Sequence, residues 1–167
     1  MKRMMSLACA VVALLTWSTH GQAAIVKYEV LLDGHQEVDS SGNPDKGDLD
    51  GTGFAQLWVD SEALSIDWNI TAENIEFPLI GAHIHESPAG TNGSVKIDFD
   101  AQLTGSGKVD ADLANLLANP TGFYVNLHNN SFTGGAIRGQ IGQPVPEPTS
   151  LVLAGLGFVA LALWRRK

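Results

Sequence analysis

The stretch Phe123-Tyr124-Val125-Asn126-Leu127-His128 alternates apolar side chains with more polar ones. Successive side chains of a β-strand point to opposite faces of the sheet. The stretch therefore predicts a strand with a core face and an outer face. The core face carries Phe123, Val125 and Leu127, and the outer face carries Tyr124, Asn126 and His128.

Two further stretches alternate in the same way. Leu79–His85 is predicted to place Ile80, Ala82 and Ile84 on the core side and His83 and His85 on the opposite side. Ala136–Ile141 is predicted to bury Ile137 and Ile141 and to turn Arg138 and Gln140 outward. The alternation thus assigns four chemically active side chains to the outer faces of their strands: His83, His85, His128 and Arg138.

Short strand-like runs fill residues 24–143, separated by clusters of Gly, Asn, Asp and Pro, a pattern typical of a sandwich or barrel. We predict a Greek-key, immunoglobulin-like β-sandwich with one short helix, Ala111–Ala118, capped by Asp110 and ended by Asn119-Pro120. A polar loop is expected at Ser40–Gly51. The predicted strands are Ile25–Leu32, Gly53–Val59, Leu64–Ile70, Leu79–His85, Val95–Phe99, Gly107–Val109, Phe123–His128 and Ala136–Ile141.

The two ends of the chain have a different character. The basic pair Lys2 and Arg3, the apolar run Met4–Trp17 and the small residues of Gly21-Gln22-Ala23 predict a signal peptide cleaved after Ala23. We therefore divide the chain into a signal peptide (1–23), a β-domain (24–143) and a C-terminal segment (144–167).

The C-terminal segment reads Pro146-Glu147-Pro148, then an apolar run Leu151–Trp164, then Arg165-Arg166-Lys167. The run is shorter than the roughly 20 residues that cross a bilayer comfortably. Its basic end would stay cytoplasmic, which leaves the domain on the far side of the membrane. The order of parts resembles the PEP-CTERM sorting signal of Gram-negative bacteria. The resemblance implies a hydrophobic transmembrane helix that holds the protein transiently in the inner membrane, processing by an exosortase-type protease, and delivery to the cell envelope, the surface or the medium. A plain membrane anchor is the alternative.

The charge and the cysteine content exclude several classes of partner and of site. All 18 acidic residues lie between Glu29 and Glu147, and the other five basic residues stand at the two ends of the chain, so residues 24–147 carry five basic residues and a net charge of −13. Such a surface repels nucleic acid and anionic lipid headgroups. The only cysteine, Cys9, falls in the predicted signal peptide, so the domain has no disulfide, no cysteine-based zinc site and no cysteine nucleophile.

Several stretches together resemble a CHRD domain. They are Leu32-Asp33-Gly34-His35-Gln36-Glu37-Val38, Gly81-Ala82-His83-Ile84-His85, Gly90-Thr91-Asn92-Gly93, Phe123–His128 and Ile137-Arg138-Gly139-Gln140-Ile141. The similarity spans residues 28–141. It implies a secreted β-domain more than it implies an activity, because bacterial members of this family have no settled biochemical activity.

A more distant resemblance links residues 81–138 to the copper half of Cu/Zn superoxide dismutase, and it too implies a β-sandwich. By this resemblance His83, His85 and His128 would hold copper and Arg138 would guide an anionic substrate. The bridging histidine and the zinc loop of that family are absent. Independently of the family, two histidines at positions i and i+2 of one strand plus a third on another strand can bind copper or zinc if the two strands lie close together. The alternative is that these are ordinary polar residues of a sheet face.

The remaining candidates are weaker. His35 is expected in a surface loop. The acidic run Asp45–Gly51 lacks EF-hand spacing and is predicted to be a solvated turn rather than a calcium site. We interpret the protein as an exported, non-catalytic binding or structural protein of the cell surface or matrix, with an extracellular polysaccharide or a protein as partner. The alternative is a metal-binding, dismutase-like protein.

Overall fold

The computed structural model describes residues 24–146. Within this range the chain is almost entirely β-structure, as predicted. The elements are β1 (Ile25–Asp33), β2 (Thr52–Asp60), β3 (Ser65–Glu73), β4 (Leu79–Glu86), β5 (Ser94–Asp98), β6 (Thr104–Val109), α1 (Leu113–Ala118), β7 (Phe123–Asn129) and β8 (Ile137–Gln140). Single 3-10 turns follow β1 at Gly34–Gln36 and precede β7 at Pro120–Gly122.

The eight strands form one antiparallel sheet in the order β5-β4-β7-β8-β1-β2-β3-β6. The sheet has two four-stranded halves, joined where β8 meets β1 through the single residue pair Asp33 and Arg138. The chain passes between the halves after β3, after β5 and after β6. This crossing pattern curls the sheet and lets both halves bury their inner faces together.

The core draws on both halves of the sheet. Inward residues of β1, β2 and β3 share one buried cluster with inward residues of β4 and β7 and with two leucines of α1. The predicted core residues Ala82, Ile84, Phe123, Val125, Leu127, Ile137 and Ile141 are all buried. A contiguous apolar core of this kind supplies the main stabilisation of a domain that has no cysteine.

The edges of the two halves meet at Trp68. Its ring, on β3, stacks on that of Phe99, which follows β5, with centroids 4.3 Å apart. The indole N–H of Trp68 donates to the carbonyl oxygen of Gln102 at 3.0 Å. The backbone N–H of Ile70 donates to the carbonyl oxygen of Leu103. Residues 99–103 therefore connect the edge strand β5 to β6, and Trp68 anchors the connection.

The helix prediction was correct at its end and wrong at its start. α1 runs from Leu113 to Ala118 and ends before Pro120, but it begins two residues later than predicted. The reason is local: the backbone N–H groups of Leu113 and Ala114 donate only three residues back, to Asp110 and Ala111, so a turn precedes the helix. The side chain of Asp110 does accept from the backbone N–H of Asp112, as a capping residue would.

The prediction for Ile80 was wrong. Ile80 was assigned to the core with Ala82 and Ile84, yet its side chain is half exposed. The register between β4 and β7 shifts between Leu79 and Gly81. Such a bulge places two residues opposite one, so the alternation changes phase, and Leu79 instead packs against the core.

The described chain enters and leaves the domain at one place. The carbonyl oxygen of Ala24 accepts from the backbone N–H of Ser61, and the N–H of Val145 donates to the carbonyl of Lys27 at 2.8 Å. Residues 24–146 contain no helix long and apolar enough to cross a membrane. The predicted signal peptide and the predicted C-terminal transmembrane helix lie outside the described residues.

Substitution of Trp68 tests the closure of the sheet. We expect Trp68→Ala to lower the free energy of unfolding of a fragment spanning residues 24–146 by about 3–5 kcal/mol, because it removes a buried ring and its hydrogen bond. Leu31→Ala, at a side chain that is 74% exposed, is the control and should change it by less than about 0.5 kcal/mol. Urea unfolding followed by circular dichroism measures both. A fragment with a mainly helical spectrum, or equal effects of the two substitutions, would contradict the fold.

Candidate metal centre

Three histidines meet on the outer face of the half-sheet that contains β4 and β7. The register places Gly81 opposite His128 and His83 opposite Asn126. His83 and His85 point to the same side of β4, and His128 points to that side of β7. The ring centroids are 5.1 Å apart for His83 and His128, 5.5 Å for His83 and His85, and 5.9 Å for His85 and His128.

One nitrogen of each ring lies within 4.8 Å of the corresponding nitrogens of the other two. The Nδ1 atom of His85 lies 3.0 Å from the carbonyl oxygen of Gly93, and that of His128 lies 3.1 Å from the carbonyl oxygen of Thr133. A carbonyl oxygen can only accept, so each Nδ1 carries the proton and each Nε2 carries a lone pair. Both Nε2 atoms are buried without a hydrogen-bond partner.

His83 completes the cluster with its other nitrogen. Its Nδ1 atom is buried without a partner, and its Nε2 atom lies 3.6 Å from Oδ1 of Asp98, the residue paired with it across β5. Three imidazole nitrogens without hydrogen-bond partners thus lie on one face, in an arrangement that can bind a metal ion. Hydrogen bonding of the opposite ring nitrogen to a carbonyl or carboxylate is how metal-binding histidines are commonly oriented.

Gly81 makes room for this arrangement. A Cβ atom added at Gly81 would lie 2.5 Å from Cε1 of His83, so any larger residue would displace the ring. The bulge that precedes Gly81 also brings Ile80 to the edge of the cluster. Ile80 and Val95 are both about half exposed and form an apolar rim around a pocket of about 200 Å³ that opens onto the three rings.

The surroundings keep two of the rings uncharged. Burial, assisted by the neighbouring His128, His83 and Arg138, lowers the pKa of His85 from 6.5 to about 4, against the hydrogen bond to Gly93, which raises it. Burial also lowers the pKa of His128, assisted by the charge of His83. Neutral imidazole is the form that binds a metal ion, so these shifts favour binding near neutral pH.

Arg138 lies on the same half of the sheet, behind Tyr124. The guanidinium carbon is 3.8 Å from the centroid of the Tyr124 ring, and the other side of that ring stacks on His85 with centroids 4.9 Å apart. Arg138 is 2% exposed and donates to the carbonyl oxygen of Thr91 and to Oδ1 of Asn92. Its predicted role of guiding anions to the histidines stays a prediction, because the ring of Tyr124 stands between Arg138 and His85.

Sequence reasoning did not single out Glu37. This carboxyl group is 2% exposed, and its Oε1 atom has no hydrogen-bond partner. Burial raises its pKa to about 7, although the charge of Arg138 acts in the opposite direction. Gly135 packs against it so closely that a Cβ atom there would lie 2.2 Å from Oε1. The burial of Glu37 could not be predicted from the sequence, because a single glutamate between strands is equally compatible with an exposed position.

The other candidates lie at the surface. Nδ1 of His35 is 2.8 Å from Oδ1 of Asp45, and both side chains are more than half exposed. Within residues 24–146 the run Asp45–Gly51 contributes to no group of three metal-binding side chains. Of the sorting motif only Pro146 lies in the described range, and Glu147 and Pro148 lie outside it.

Comparison with known proteins gives two matches to family models. The model described as the CHRD domain matches residues 28–141, and the PEP-CTERM protein-sorting motif matches residues 144–167. No curated protein and no solved structure matches the chain. The distant resemblance to Cu/Zn superoxide dismutase thus gains no support from these comparisons.

Glu37 and His85 make opposite contributions to the pH dependence of stability. The pKa of Glu37 is about 7 in the folded domain against an ordinary 4.5, so its contribution is full below pH 4.5 and is lost as the pH rises through 7. The pKa of His85 is about 4 against an ordinary 6.5, so its contribution is full above pH 6.5 and is lost as the pH falls through 4.

Variants separate the two contributions. Relative to the unsubstituted protein, Glu37→Gln is expected to gain stability as the pH rises from 5 to 7, because it lacks the group that loses its proton. His85→Gln is expected to lose relative stability over the same range. The free energy of unfolding in urea at several pH values measures both slopes. Slopes parallel to that of the unsubstituted protein would contradict the assigned pKa shifts.

Proposed function

The chain belongs to the CHRD domain family and ends in a PEP-CTERM sorting motif, and on this premise we propose that it is an exported binding protein whose ligand is a copper or zinc ion held by His83, His85 and His128. The sorting motif supports export to the cell envelope or surface and processing by an exosortase-type system. The proposal adds a ligand to that coarser function.

The observation that carries the proposal is the set of three buried, unpartnered ring nitrogens. Leaving buried acceptors without hydrogens costs about 1–3 kcal/mol each, and a metal ion would satisfy all three at once. The backbone carbonyls of Gly93 and Thr133 already accept hydrogen bonds from the opposite sides of the His85 and His128 rings. These two rings are therefore oriented before any ion arrives, and the Asp98 carboxylate lies 3.6 Å from the far nitrogen of His83.

The donor atoms narrow the choice of ion. An all-nitrogen set suits copper or zinc, whereas calcium and magnesium require oxygen ligands. Three protein ligands would leave a fourth position open toward the pocket edged by Ile80 and Val95. We propose that this position takes water or a group from a bound partner.

We propose binding rather than dismutation as the role of the site. A dismutase-like mechanism needs a cation beside the open position to attract an anionic substrate. Arg138 is the candidate, but its guanidinium is covered by Tyr124 and bound to Thr91 and Asn92. The side chain at the edge of the cluster is instead the carboxyl group of Asp98.

The boundaries of the three parts of the chain fit export followed by processing at the C-terminal segment. We propose that residues 1–23 are removed on export, that residues 24–143 form the binding domain, and that residues 144–167 hold the protein in the inner membrane until a protease reads Pro146-Glu147-Pro148. The hydrogen bond from Val145 to Lys27 supports a domain end close to the proposed boundary.

Metal analysis tests the site directly. The purified protein, stripped with a chelator and dialysed against Cu²⁺ or Zn²⁺, is expected to retain about one ion per chain by elemental analysis. His128→Gln should lower the affinity by at least about tenfold, because one ligand in three is lost. His35→Gln, at an exposed histidine outside the cluster, is the matched control and should bind normally. Equal metal content in both variants would refute the site.

Replacement of the sorting motif tests the route of export. Substitution of Pro146, Glu147 and Pro148 by alanine is expected to leave the protein in the inner-membrane fraction, because the processing protease can no longer read its signal. Gln143→Ala, just before the matched motif, is the control and should be released as usual. Cell fractionation and immunoblotting measure the distribution. Unchanged release of the triple variant would favour a plain hydrophobic anchor.

A further inference from the structure

A second candidate site lies on the outer face of the other half-sheet, around Trp58. On β2 the residues Ala55, Leu57 and Val59 fill the core, so Trp58 points outward and the core does not require it. A pocket of about 410 Å³ opens there. Its lining comes from three adjacent strands: Ile25, Trp58, Asp60, Ser65 and Asp67.

The register explains why these side chains meet. Asp67 on β3 is paired with Trp58, and Ile25 and Ser65 are both paired with Asp60 from opposite sides. Trp58 and Asp60 are two residues apart on one strand and therefore share a face. The pocket is thus a product of the regular sheet and does not depend on a loop.

The two carboxylates are held in fixed orientations. Oδ1 of Asp60 accepts from the backbone N–H groups of Glu62 and Ala63, both at 2.8 Å. Oδ1 of Asp67 accepts from the backbone N–H of Gly107 at 2.7 Å. In the described part of the chain the second oxygen of each has no hydrogen-bond partner. Each carboxylate can therefore accept hydrogen bonds from a ligand with little further loss of side-chain conformational entropy, because its orientation is already fixed.

Charge limits the class of ligand. The two carboxylates, in a strongly acidic domain, disfavour an anion. A cation over the ring is disfavoured too, because the ammonium group of Lys27 already lies 5.7 Å from the Trp58 ring centroid. A purely apolar ligand would leave both carboxylates without partners. A neutral ligand with a flat C–H face and several hydroxyl donors satisfies every group present.

We propose that the Trp58 pocket binds a sugar unit of a neutral extracellular polysaccharide. The C–H face of the sugar packs on the part of the electron-rich indole that lines the pocket, which Lys27 does not line, and adjacent hydroxyls donate to Asp60 and Asp67. The site opens on the outer face of the sheet, where a long chain can pass without threading through a cavity. It is separate from the histidine cluster, which lies on the other half of the sheet.

Affinity electrophoresis tests the proposal with the full-length protein purified in detergent. Native gels would contain one of four soluble neutral polysaccharides: β-glucan, galactomannan, dextran or glycol chitin. The protein is expected to be retarded in at least one of them relative to a gel without polysaccharide. Trp58→Ala should migrate as in the plain gel, corresponding to an association at least about tenfold weaker.

Controls separate this site from the fold and from the metal centre. Leu31→Ala removes an exposed apolar side chain on the same face of β1 and should keep the full retardation. Asp67→Asn, which keeps an acceptor for Gly107, and Trp58→Phe, which keeps a flat ring, should each be retarded less than the unsubstituted protein. Metal content should be unchanged in all of them. No retardation in any of the four gels, or equal retardation of Trp58→Ala, would overturn the proposal.

Discussion

The buried guanidinium of Arg138 is the constraint on which the described structure most depends. A charged group removed from water must have its hydrogens and its charge satisfied, or the fold loses several kcal/mol. Arg138 lies at the single residue pair that joins the two halves of the sheet, so its position is fixed by the topology. Its partners must come to it: the ring of Tyr124, the carbonyl of Thr91 and the side chain of Asn92.

This requirement also orders the cluster of His83, His85 and His128. The turn that supplies Thr91 and Asn92 to Arg138 continues into Gly93, whose carbonyl orients His85 and whose N–H donates to the hydroxyl of Tyr124. Gly93 approaches β4 so closely that a Cβ atom would lie 1.9 Å from the carbonyl oxygen of Glu86. A charge buried for structural reasons thereby fixes a histidine of the proposed metal site. The turn Thr91-Asn92-Gly93 thus both binds Arg138 and orients His85.

Alternation predicted much of the fold and the site because it is a local property of each strand. It placed His83, His85 and His128 on outer faces, and the structure brings these three rings together. It could not place Ile80, because a bulge depends on how β4 pairs with β7, and it could not reveal Tyr124 between Arg138 and His85. The Trp58 pocket was equally hidden, since its residues come from three strands whose register only the tertiary structure sets.

The neighbouring entry and exit of the chain have a consequence for how such a module can be used. Ala24 is hydrogen-bonded to Ser61 in the turn after β2, and Val145 is hydrogen-bonded to Lys27 in β1. The two ends of the domain therefore lie close together. A unit with adjacent ends can be inserted into a surface loop of another protein, or strung in series, without stretching its host. It could equally be cut at a distant loop and rejoined at its natural ends as a circular permutant. The same domain could therefore be combined with other exported domains in different orders.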